Sequence, residues 1–344
     1  MKPLELVPLA RTLIDIDSTS GREADCGRWL AAYLRARGYR VEEQPVSDGR
    51  ANVFATLDPP SVVFSTHFDC VPPFFPSREE GPLLYGRGAC DAKGILASQI
   101  TAAERLRSEG VRDIALLFVV GEERGSDGAR AANGLAAGSR FLINGEPTDG
   151  RLGAATRGVL RVRLAAAGRA AHSSYPEAGE SAIEKLIDAL VRLRTLPLPA
   201  DPLLGTTHYT IGLINGGIAP NVIPPDAEAE VMFRTVGPAS DLTPALDALR
   251  DLVEWSVVLE VPAVRLTTVD GFETAVFPFT TDIPLLSGWG APLLYGPGSI
   301  LVAHTDHEHV AIADLHDAVD GYVELARGLK ESDGLKGSDG GQTP

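Results

Sequence analysis

Five stretches of the chain end in side chains that bind metal ions. SVVFSTHFDCVP carries His67 and Asp69, YGRGACDAKG carries Asp91, and LLFVVGEERGSDG carries Glu122 and Glu123. FLINGEPTDG carries Glu146, and YGPGSILVAHTDHEHV carries His304, His307 and His309. In a His-x-Asp pair the imidazole can ligate while the carboxylate holds the other ring nitrogen, although alone the pair also suits a polar loop. Asp91 taken alone reads as a helix N-cap. The glycines around it lack the spacing of a dinucleotide fingerprint. Glu122 and Glu123 follow a wholly apolar run, where unpaired carboxylates are costly and a cation removes that cost. Adjacent residues point in different directions, so one of the two can ligate while the other faces a bound water. The three histidines compete for one ligand position, and a His-rich surface loop accounts for at least two of them.

Together these segments offer His, Asp, Glu, Glu and His as ligands, with one Glu free. Imidazole and carboxylate suit zinc, with cobalt or manganese as substitutes. A carboxylate shared by two ions lets them lie roughly 3.5–4 Å apart, the spacing of two-metal hydrolases. Water on such ions has a lowered pKa, and the free Glu can take its proton. That is equipment for amide hydrolysis.

These ligands must be held by strand ends, because open α/β sheets bind at the carboxyl ends of their strands. The first half alternates helices and strands. Helices are expected over 4–15, from a Ser20/Glu23 capping box to Gly38, and over 93–107. Strands are expected over 52–57, 61–66, 113–120 and 140–144, the last two apolar on both faces as buried parallel strands are. From about Gly158 the order becomes strand 159–168, helix 181–194, strands 207–214 and 227–235, helix 242–255, and a strand from Val257. That βαββαβ order is of the ferredoxin-like kind. A final helix is expected near 312–329. The reading is an α/β domain, its sheet covered by helices, interrupted by an α+β insertion. The polar, glycine-rich 331–344 is expected to be disordered.

Composition narrows the function classes. The chain has 344 residues and a formal net charge of −15, and it carries no basic run. It therefore lacks the footprint that phosphate backbones or anionic membrane surfaces select, so neither nucleic acid nor membrane is an expected partner. No apolar run approaches the ~20 residues of a bilayer span. Acids interrupt the apolar pattern of the N-terminus, unlike a signal peptide. Cys26, Cys70 and Cys90 form no disulfide framework. A cytoplasmic location is the expectation.

The ordered set HFDCVP, GRGACDAKG, GEE, GEPT, AHSS, APNVIP and GPG…AHTDHE resembles one family over nearly the whole chain, to about residue 330. It is that of the two-zinc metallohydrolases that include acetylornithine deacetylase, succinyl-diaminopimelate desuccinylase, aminoacylase and glutamate carboxypeptidase. The resemblance implies a zinc-peptidase-like catalytic domain over 1–156 and 264–330 with an inserted lid over 157–263. It implies two Zn2+ per chain, His67 and Glu146 on one, Glu123 and His304 on the other, and Asp91 between them. Asp69 would orient His67, and Glu122 would be the general base. His172 in RAAHSSYP, otherwise a surface histidine, would stabilise the oxyanion. Asn221 and Arg234 would contact substrate, Arg234 by pairing with a carboxylate. Family members often dimerise through the lid. The implied substrate is a small N-acylated amino acid, with acetylornithine first. Alternatives are desuccinylase, dipeptidase or carboxypeptidase activity, and, in another class, an inactive metal-binding accessory protein. The chain departs from the family at His309, where an aromatic residue is usual, and at Ala92, where a second Asp is usual.

Overall fold

A computed structural model describes residues 5–47, 49–136 and 138–338. In chain order its main elements are α1 (Leu6–Ile14), α2 (Ala24–Ala36), β1 (Arg40–Ser47), β2 (Arg50–Thr56), β3 (Val62–His67), α3 (Lys93–Ser108), β4 (Ile114–Val119), α4 (Asp127–Ala132) and β5 (Phe141–Asn144). There follow β6 (Gly158–Ala167), α5 (Ala182–Leu193), β7 (His208–Gly216), β8 (Asp226–Thr235), α6 (Thr243–Asp247), β9 (Glu254–Val261), β10 (Ala291–Leu294) and α7 (Ile312–Ser338). The chain folds as two compact units. One comprises residues through Ala154, then Leu266–Ala275 and from Thr281 onward; the other comprises Ala155–Arg265 and Val276–Thr280.

The first unit is built on a mixed sheet of order β1-β2-β4-β3-β5-β10. β3 runs parallel to both β4 and β5, and β10 runs parallel to β5, whereas β1 and β2 are antiparallel. Every residue of β3 and β4 is buried, as strands covered on both faces must be. On one face the sheet packs against α1, α2, α3 and α7 through Leu13, Leu30, Leu34, Phe64, Ile100 and Tyr322. The parallel strands therefore bring to one end of the sheet His67 itself and, just past Val119 and Asn144, the glutamates expected as ligands. Beyond it a short antiparallel ladder pairs Leu83–Tyr85 with His309–Ala311.

The second unit carries a four-stranded antiparallel sheet of order β7-β8-β6-β9, with alternating burial along β8. α5 packs on it through Leu186, Leu190 and Leu193, and the Ser181 hydroxyl caps that helix by accepting the Glu184 N–H at 3.2 Å.

Two expectations need correction. Ser20 and Glu23 make no capping box: α2 starts at Ala24 without a side-chain cap, and the Ser20 hydroxyl instead donates to Asp69 Oδ2 at 3.2 Å. The helix expected over 242–255 is the short α6 alone, because Glu254 and Trp255 pair with β6 as the start of β9. Of the 331–344 segment, α7 extends to Ser338 and residues 339–344 lie outside the described residues. Among the described residues, no helix is long and apolar enough to cross a membrane. The three cysteines are free and buried.

Candidate metal centre

Two glycines let the strand ends present their glutamates. Gly121 precedes Glu122 at φ 75°, in the left-handed region that favours glycine, and a Cβ there would lie 2.0 Å from Asp127 Oδ1. Gly145 precedes Glu146, and a Cβ there would lie 2.4 Å from Ile95 Cγ2 of α3. Each Gly-Glu step thus turns the chain out of a buried strand in a space closed to larger residues.

The donors then converge. His67, Asp91 and Glu146, all buried, offer ligand atoms within 4.8 Å of one another, and Asp91, Glu123 and His304 do the same. Asp91 belongs to both groups. His67 Nε2 lies 3.0 Å from Asp91 Oδ1, and His304 Nε2 lies 3.3 Å from Asp91 Oδ2 and 2.9 Å from Glu123 Oε1. The other nitrogen of His67 faces Asp69, 3.0 Å from its carbonyl oxygen and 3.4 Å from Oδ1. Asp69 also accepts the backbone N–H of Glu122 at 3.0 Å and of Glu123 at 3.2 Å. Asp69 thus meets the imidazole through its backbone carbonyl first, while its fully buried carboxylate anchors the Glu122–Glu123 turn.

The electrostatics ask for cations. Burial pushes the carboxyls of Glu122, Glu123 and Glu146 above their ordinary range. Glu146 Oε1 is buried without a hydrogen-bond partner. Burial would raise Asp91 too, but hydrogen bonds from His304 and His67 and the charge of both rings hold it below the usual carboxylate range. Bonds to Asp91 and Glu123 push His304 up to about 10. Burial opposes the charged form of His67, yet Asp69 and Asp91 outweigh it and raise the ring well above its ordinary value. The carboxylates around them thus favour the charged form of both rings. A donor set of imidazole nitrogens and carboxylate oxygens with an orphaned buried oxygen fits a pair of divalent cations. A cation bound at these nitrogens would displace their protons, so its affinity is expected to weaken as pH falls, which zinc titration at two pH values checks.

His307 and His309 stand in neither group. His307 is exposed, and His309 turns its Nδ1 to the His307 carbonyl at 2.6 Å and its ring toward Tyr85. In the second unit, His172 forms a bridge with Val222 beside Asn221, accepts the Ser174 N–H on Nδ1 at 3.2 Å, and meets the Tyr175 ring edge-on. Asn221 is exposed there, and Arg234 is half-buried on β8. A cleft of ≈ 590 Å³ opens beside Glu123, walled by Asp17, Ser20, Arg22, Phe74 and Arg124.

Two residues of the site escape sequence reasoning. Asp282 is buried, and burial pushes it up to about 6 against the Ser126 hydroxyl and the charge of His67. It follows no strand or motif, so nothing in the sequence marks it. Glu308 is fully buried against Arg87 and is the last residue of AHTDHE, where its place in the motif was the available signal.

Comparison with known proteins gives the setting. The model of peptidase family M20/M25/M40 matches residues 63–328. A peptidase M20 domain-containing protein of Schizosaccharomyces pombe is 40% identical over 337 residues, covering 93% of this chain and 84% of that protein. A protein of Aspergillus terreus named probable carboxypeptidase is 38% identical over 367 residues, with 92% and 84% covered. The structure of a dinuclear metal-binding peptidase of the M20 family from Bacillus subtilis superposes with a TM-score of 0.71 at 18% identity, covering 93% of this chain and 96% of that one.

Proposed function

The chain belongs to peptidase family M20/M25/M40, and from that premise we propose that it is a two-zinc hydrolase that cuts the amide bond next to a free α-carboxylate in small peptides or N-acylated amino acids. The observation that carries this reading is the pair of donor groups joined at Asp91, with Glu122 beside them and in neither. The names of the relatives favour carboxypeptidase chemistry. Removal of an acyl group from an amino acid is the same reaction with a shorter acyl part. Acetylornithine is one narrower case of it, and a desuccinylase would be another.

On this reading His67, Asp91 and Glu146 would hold one ion and Asp91, Glu123 and His304 the other. Two divalent cations bound there would polarise the scissile carbonyl and acidify the attacking water. Glu122 takes the proton of that water and returns it to the departing amine. Asp69 keeps His67 turned and Glu122 in place. His172 donates to the oxygen that gains charge, and Asn221 and Arg234 contact the substrate, Arg234 its carboxylate. The reading includes a cytoplasmic enzyme and a homodimer formed through the second unit. An inactive metal binder is disfavoured because it has no use for the free base at Glu122.

The test is a hydrolysis screen of the zinc-loaded chain against N-acetyl and N-succinyl amino acids, dipeptides and their C-terminal amides. Cleavage is expected for substrates with a free α-carboxylate and lost when that group is amidated. Turnover of the amides at equal rate would remove the carboxylate requirement. No turnover of any substrate would leave the accessory protein as the better account.

A further inference from the structure

The loop that presents Asp91 has a second anchor, outside the donor groups. Glu308 Oε1 accepts the backbone N–H of Gly88 at 2.9 Å, of Cys90 at 3.2 Å and of Asp91 itself at 3.1 Å. Its Oε2 pairs with Arg87 Nη1 at 2.6 Å, and its carbonyl accepts the Gly86 N–H at 3.2 Å. Arg87 in turn donates to the Pro73 carbonyl at 3.1 Å and lies over the Phe75 ring. Glu308 and Arg87 are at most 1% exposed, so solvent does not screen the pair. Glu308 also ends the turn that begins at His304, just before the ladder between His309–Ala311 and Leu83–Tyr85. One carboxylate therefore fastens the loop of the shared ligand to the loop of its histidine partner.

From this geometry we infer that Glu308 is a positioning residue of the metal centre, setting the distance between Asp91 and His304 by clamping the backbone of 88–91 to the turn 304–308. The inference rests on the two-metal reading above. A buried carboxylate that accepts three N–H groups could be replaced for shape alone by glutamine. The amide keeps one oxygen for the loop but turns an NH2 toward Arg87, so the charge pair is lost and the clamp loosens. Groups that orient metal ligands in this way typically contribute about 10–100-fold to metal affinity.

The experiment measures zinc affinity of the full chain by competition with a chromophoric chelator, together with thermal unfolding of the ion-free proteins. At a temperature where both ion-free chains are folded, Glu308→Gln is expected to bind zinc roughly 10–100-fold more weakly than wild type. Should Glu308→Gln fail to fold, Glu308→Asp gives the same reading, because it keeps the charge but withdraws the carboxylate by one methylene. A lowered Tm with zinc affinity unchanged within twofold would make Glu308 a stabilising residue only and overturn the inference. A wild-type chain that takes up no zinc would instead bring down the two-metal reading, and this inference with it.

Discussion

Glu122→Gln is expected to retain both metal ions and lose turnover by roughly 10²–10⁴-fold, the usual contribution of a general base. The expectation follows from the difference between two adjacent residues. Glu123 offers its oxygen to the group with Asp91 and His304, whereas Glu122 belongs to neither donor group. Both are held by the same carboxylate, since Asp69 accepts the N–H of each. The amide of glutamine preserves the shape and the backbone contacts but cannot accept a proton from water. Glu123→Gln removes a ligand charge, so it is expected to weaken zinc binding first and lose activity as a consequence. Zinc titration and turnover at saturating zinc separate the two. If the variants exchange phenotypes, the roles within the pair are reversed.

His172→Ala is expected to lower kcat by about 10²–10³-fold, the usual cost of losing one oxyanion donor, with metal content intact. His172 lies in the second unit and the donor groups lie in the first. An effect on kcat larger than that on KM marks an interaction made in the transition state. If the histidine of one chain serves the site of another, His172→Ala mixed with Glu122→Gln regains activity, because one hybrid site has both intact groups. Absence of rescue in mixtures shown to exchange subunits would leave each chain served by its own His172. Unchanged kcat in His172→Ala would remove the residue from the reaction.

What the sequence made legible follows from the kind of information each element carries. The runs that became β4 and β5 announce themselves by apolar side chains on both faces, and the ligands follow them because parallel strands end at one edge of a sheet. The two Gly-Glu steps were visible as motif letters, but the need for glycine there shows only in the close approach of Asp127 and Ile95. The boundaries of α2 and α6 were not legible, for a different reason in each. Ser20 is drawn away from the helix end by Asp69, a partner 49 residues along the chain, and β9 takes residues with helical periodicity because β6 offers them a ladder. Asp282 was hidden because what sets it apart is burial beside charges from distant segments. Glu308 was visible as a letter of a motif, but its purpose needed the three N–H groups that converge on it.

The central claim is that this chain holds two cations at residues fixed by its own fold. Anomalous scattering at the zinc edge, from crystals of the zinc-loaded protein, tests it most directly. The expected map has two peaks roughly 3.5–4 Å apart, one within reach of His67, Asp91 and Glu146 and the other within reach of Asp91, Glu123 and His304. A map without peaks there, or with a single ion held by His307 or His309, would contradict it.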